Sequence, residues 1–167
     1  GAYTALVNGL LRPDRFGSIV ALSGAFMRDR IMDAVESHSP RKRKYYARWF
    51  GDLDTVIGSE KDYVALIDRF KEDPDLPKPK FYGACGEHDN LCANNREVVE
   101  LLKDADFDVT YWEPEIGSHE WPFWNAWIDC ALDWYAPGEL KPSSADVDYS
   151  GLTTLRPPDE GTFVLKD

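Results

Sequence analysis

Lys80-Phe81-Tyr82-Gly83-Ala84-Cys85, running straight into Gly86-Glu87-His88-Asp89, is the stretch that decides the fold class. The first six residues are almost continuously apolar and are bounded by Pro79 and Gly86. A short run without polar alternation suits a strand covered on both faces, as in a parallel sheet. Upstream, Ser18-Ile19-Val20-Ala21-Leu22 has the same character and stops at Ser23-Gly24. Downstream, Asp108-Val109-Thr110-Tyr111-Trp112 predicts a third strand.

Helical patterns lie between and beyond these strands. Residues 2–11 are small and apolar, which predicts a buried helix ending before Arg12-Pro13-Asp14. Residues 96–105 bring Val98, Leu101, Leu102 and Ala105 to one face, with Asn94 or Asn95 as the expected cap. The last helix has Pro122 near its first turn and a core face of Phe123, Trp127, Cys130, Ala131 and Trp134. Residues 26–75 are charged, rich in aromatics and without strand alternation, and we read them as an inserted helical cap. Residues 138–167, poor in apolar side chains, read as an extended tail packed on the surface. This alternation predicts an α/β fold with a parallel sheet and flanking helices. Three strands are few for a sheet covered on both faces. The chain also opens on Gly1-Ala2-Tyr3 rather than Met, so further strands are expected upstream.

Composition narrows the function classes. Hydrophobic residues make up 43 % of the 167, enough for a real core in one domain. A net charge of −11 gives no electrostatic route to a phosphate backbone or an anionic membrane. The basic run Arg41-Lys42-Arg43-Lys44 reads as a solvated face rather than a nucleic-acid patch. No stretch approaches the roughly 18 apolar residues of a membrane span. Cys85, Cys92 and Cys130 have no metal-ligand spacing and read as reduced thiols in a cytoplasmic protein, with a Cys85–Cys92 disulfide left open. No metal or organic cofactor is implied.

Open α/β sheets place their sites at the carboxyl ends of the strands. Three loops fall there: Ser23-Gly24, Glu87-His88-Asp89, and Gly117-Ser118-His119-Glu120-Trp121. An acid and then a histidine, each just past a parallel strand, match the Ser…Asp…His chain order of α/β-hydrolases. A serine hydroxyl attacks an ester only when a base takes its proton, and imidazole, with a pKa of about 6.5, can take and return it. A buried carboxylate fixes the imidazole tautomer and stabilises the imidazolium.

The segments Tyr82-Gly83-Ala84-Cys85-Gly86-Glu87-His88-Asp89 and Gly117-Ser118-His119-Glu120-Trp121-Pro122-Phe123-Trp124 resemble the acid and histidine motifs of the esterase D / tributyrin esterase family of α/β-hydrolases. Gly24 and Trp49-Phe50-Gly51-Asp52 add to the resemblance, which spans roughly residues 1–135. Gly1-Ala2-Tyr3-Thr4-Ala5-Leu6 is similar to the family's segment just after its nucleophile, with Ala2 and Thr4 standing where the family has Gly. The resemblance implies that residues 1–137 are the C-terminal part of an α/β-hydrolase domain, with the serine two positions before Gly1. It also implies a serine esterase acting on short acyl esters, of acetyl or butyryl type, with sugar or aromatic esters open. Catalytic Asp89 and His119 are expected, with Trp121, Ser23 and Phe26 at the substrate. The expected partners are a small-molecule ester and the upstream segment of the same protein, with a homo-oligomer left open.

Each residue also has a plainer reading. Asp89 is of a type that often caps turns, and Glu87 is a rival carboxylate. His119 has the alternative of a satisfied structural histidine; His88 and His38 lack a supporting pattern. Ser23 ends a strand but lacks the preceding Gly-x of a nucleophile elbow, so it is assigned to the pocket. Two further functions stay open: an acyltransferase of the same fold and a non-catalytic hydrolase-like binding domain.

Overall fold

The computed structural model describes residues 1–137. The expected tail, 138–167, lies outside the described residues. Three strands form one parallel sheet in the order β1-β2-β3: β1 (Ser18–Leu22), β2 (Lys80–Ala84) and β3 (Val109–Trp112). Helix α1 (Ala2–Leu11) precedes β1, α5 (Cys92–Asp104) joins β2 to β3, and α6 (Trp121–Tyr135) follows β3. Between β1 and β2 run α2 (Arg28–Glu36), α3 (Pro40–Phe50), a 3₁₀ turn at Leu53–Thr55 and α4 (Tyr63–Glu72).

Strand alternation divides the side chains between two cores. Ile19, Ala21 and Phe81 pack with Leu6 and Leu10 of α1, Leu66 and Phe70 of α4, and Val98 and Leu102 of α5. Tyr82 and Ala84 face the other way, onto Phe123, Trp127 and Cys130 of α6. Covering both faces explains why the strands read as apolar runs rather than alternating ones.

Within 26–75 the packing splits. Ile31, Ala34, Tyr46, Phe50, Leu53 and Val56 form a cluster of their own, whereas Tyr63, Leu66, Ile67 and Phe70 of α4 belong to the main core. Local chemistry sets the helix ends. Ser39 caps α3 ahead of Pro40, and the Asp62 carboxylate caps α4 by accepting from the Val64 amide while also binding Arg28. Helix α5 differs from expectation. It begins at Cys92, so Asn94 and Asn95 lie inside it rather than at its cap. The Asp89 turn already supplies the entry, with Asp89 accepting from the Leu91 and Cys92 amides, so no asparagine cap is needed.

Candidate active site

The loops after the three strands meet at the carboxyl end of the sheet, and two glycines set how closely. A Cβ on Gly86 would sit 2.1 Å from the Gly117 carbonyl oxygen, so any side chain there would force the Asp89 and His119 loops apart. Gly117 has φ +108, a left-handed backbone that favours glycine, and lies against Phe123. The Glu87 amide donates to the Pro114 carbonyl at 2.9 Å, a second tie between these loops.

Across this junction His119 Nδ1 lies 3.1 Å from Asp89 Oδ2. The other carboxylate oxygen, Oδ1, accepts from the Leu91 amide at 2.9 Å. Asp89 is 3 % exposed, and burial by itself disfavours the charged form. Hydrogen bonds from His119 and the Leu91 amide, with the nearby Ser23 hydroxyl acting in the same direction, outweigh that penalty and hold the Asp89 carboxyl below its ordinary value. The Trp124 ring meets the His119 ring edge-on, with centroids 4.8 Å apart. Of the rival groups, Glu87 and His38 are exposed, and only Asp89 is buried against His119.

His119 borders a cleft of about 730 Å³, within the usual range for a small-molecule site. Its walls include Ser23, Met27, Tyr45, Trp49, Trp121 and Trp124, and the start of α1 from Gly1 to Thr4 closes another side. Trp49 and Trp121 stand at 72 % and 73 % exposure, so both present open indole faces.

The expected pocket residues fare differently. Trp121 lines the cleft and packs edge-on against Trp124. Ser23 also lines it, 3 % exposed, with φ +47. Its hydroxyl faces Asp89 without closing a hydrogen bond of ordinary geometry. Phe26 requires correction: it is 2 % exposed and packs edge-on to Tyr63 in the main core, while its neighbours Ala25 and Met27 border the cleft. Its ring fills the space beside Gly24, where an added Cβ would meet it at 2.3 Å. Cys85 and Cys92 are free, buried thiols in contact with each other, and the hydrogen bond to Cys92 together with burial pushes the Cys85 thiol up.

Sequence reasoning missed Tyr45, Trp49, Met27 and Trp124 as cleft residues, and missed Asn95 beneath the cleft. Asn95 left one signal, a polar residue one turn from Val98 and Val99 on the face that should be dry.

No family model matches the chain. Solved structures do. An apo S-formylglutathione hydrolase of Staphylococcus aureus superposes with a TM-score of 0.62 at 25 % identity, over 80 % of this chain and 50 % of that one. A substrate-bound fluorophosphonate-binding serine hydrolase of the same organism gives 0.63 at 25 % identity, over 80 % and 49 %. The fold is that of the α/β-hydrolases. In sequence, this α/β-hydrolase chain is 40 % identical over 136 residues to an acetyl esterase of Caldicellulosiruptor saccharolyticus, covering 80 % of this chain and 50 % of that protein. The chain therefore spans about half the length of the relatives it matches. Among the described residues, no helix is long and apolar enough to cross a membrane, and no three His, Cys, Asp or Glu side chains gather where they could hold a metal ion.

Proposed function

We propose that the intact protein is a serine hydrolase cleaving carboxylic esters of short acyl groups, with His119 as general base and acid and Asp89 as its orienting partner. One observation carries the reading: an imidazole 3.1 Å from a buried carboxylate, at the carboxyl end of a parallel sheet, on the wall of an aromatic cleft. With Nδ1 facing Asp89, Nε2 is the nitrogen that takes a proton from an attacking hydroxyl and returns it to the leaving alcohol. The nucleophile in this reading is a serine two positions before Gly1. Gly1 and Ala2 border the same cleft as His119, which supports an approach from that side. An acyl-enzyme then forms on the serine and is released by water activated at His119.

Small acyl groups are favoured by the names of the relatives, an acetyl esterase and an S-formylglutathione hydrolase. Trp121 and Ser23 are assigned to substrate contact because both line the cleft. The helical segment 26–75 acts as a cap, contributing Met27, Tyr45 and Trp49 to the outer wall.

The test is the intact mass of the protein before and after a fluorophosphonate, together with turnover of an acetyl ester by His119→Ala. The expected result is one adduct and a loss of kcat of roughly 10³-fold or more. A protein that takes no adduct and hydrolyses no ester is a binding domain of the same fold. Near wild-type turnover in His119→Ala removes the role assigned to that residue.

A further inference from the structure

Asn95 is the fourth residue of α5, 2 % exposed, and both polar atoms of its side chain are engaged by backbone groups. Its Oδ1 accepts from the Gly24 amide at 3.0 Å, and its Nδ2 donates to the Gly24 carbonyl at 2.8 Å. The same Nδ2 donates to the Leu91 carbonyl, also at 2.8 Å. One side chain thus pairs with both backbone groups of Gly24, as a neighbouring strand would, and ties that residue to the turn at Leu91.

Those two anchor points flank the candidate site. Leu91 supplies the amide that holds Asp89 Oδ1. Gly24 follows Ser23, which has the strained φ of +47 and lines the cleft beside the Asp89 carboxylate. A non-glycine residue in the left-handed region persists only where its surroundings impose it. Here the imposition comes from two sides: the Ser23 amide extends the ladder onto the Ala84 carbonyl at 2.8 Å, and Asn95 grips the next residue. Gly24 itself is chosen by this contact, since an added Cβ would meet Asn95 Oδ1 at 3.0 Å and the Phe26 ring closer still.

We infer that Asn95 is a positioning residue: it clamps the Ser23–Gly24 turn to the Asp89 turn and so fixes the carboxylate against both His119 and the cleft floor. The inference rests on the proposed roles of Asp89 and His119. Removing the amide leaves most of the local backbone bonded. The Gly24 carbonyl still accepts from Phe26, and the Leu91 carbonyl still accepts from the Asn95 amide. Only the Gly24 N–H is orphaned, so the fold survives while the turn is released.

The experiment compares Asn95→Ala, Asn95→Asp and His119→Ala in the intact protein. For the Asn95 variants kcat is expressed per centre titrated by a fluorophosphonate, so that unfolded material does not count, and for His119→Ala per protein folded by circular dichroism. Ile31→Val, in the separate helical cluster, is the control for lost stability without lost positioning. Asn95→Ala is expected to lower kcat roughly 10- to 100-fold through misplacement, with KM changed by less than about twofold. Asn95→Asp keeps the acceptor for the Gly24 amide but not the donors, and is expected to recover only part of kcat. The downfield proton resonance of His119 Nδ1–H should shift or broaden in both Asn95 variants and stay in place in Ile31→Val. Full kcat per titrated centre with an unmoved resonance in Asn95→Ala, beside an inactive His119→Ala, overturns the role of Asn95 alone. Full activity in His119→Ala overturns the site reading and this inference with it.

Discussion

Two walls of one cleft are built on opposite principles. The wall at the strand ends, lined by Ser23 and His119, is backed by loops packed backbone against backbone: Gly86 meets Gly117, the Glu87 amide meets the Pro114 carbonyl, and Asp89 is sealed at 3 % exposure. The helical wall rests on its own small cluster around Ile31, Tyr46 and Phe50. Surface ion pairs such as Lys42–Asp33 fasten it, and it turns Trp49 outward at 72 % exposure. A closely packed interior transmits small displacements to whatever it holds, whereas an exposed aromatic face can be exchanged at little cost to the fold. On the proposed function, we assign rate to the first wall and choice of ligand to the second.

The strongest test of that division is Asp89→Asn, which keeps the shape and removes the charge. Turnover per folded protein is expected to fall roughly 10³- to 10⁴-fold, with the fold intact by circular dichroism. A loss under tenfold breaks the comparison, because the buried wall then contributes little to rate.

Gly86→Ala comes next. With the Gly117 carbonyl 2.1 Å from the new Cβ, one of the two loops must shift. Overpacking of this kind costs about 1–3 kcal/mol of stability, read as a lower urea midpoint. The shift should take about 10²-fold from kcat. An alanine variant of wild-type rate shows that the loops are not held as closely as the two glycines indicate.

Trp49→Ala probes the helical wall and should separate the parameters the other way. KM for a bulky ester is expected to rise several-fold with kcat unchanged, as when uniform binding is lost. Stability should change by less than about 0.5 kcal/mol, since the indole is mostly in solvent. A fall in kcat with KM unmoved places Trp49 with the first wall instead.

The smallest effect is a pH dependence. The Asp89 carboxyl is held below its ordinary value in the folded chain, so its ionisation favours folding. That contribution is complete above the unfolded carboxyl value of about 4 and is lost as pH falls through the lower folded value. Unfolding free energies of wild type and Asp89→Asn should therefore run parallel near neutrality and converge in acid. Parallel curves down to the acid limit contradict the assigned direction.

Much of this molecule is local chemistry and was legible as such. The apolar runs of β1 and β2 mark strands covered on both faces, and Arg12-Pro13-Asp14 closes the first helix. Asp89 and His119 stand out because an acid and then a histidine each follow a strand, and strand ends of a parallel sheet converge. Their pairing needed only chain order and fold class. Which neighbour faces the cleft was not legible: Phe26 turns into the core and Met27 borders the cleft because the space beside Gly24 takes one ring. Asn95 reads as a helix cap in sequence, since its partners, Gly24 and Leu91, are set by a contact 71 residues away along the chain and one only four away. The approach of Gly86 to Gly117 belongs to neither segment alone. Sequence determines periodicity, breakers and the order of reactive groups, because each acts within a few residues. Tertiary structure alone decides which side chains share a cavity and which glycines must stay bare, because those depend on distances between segments far apart in the chain.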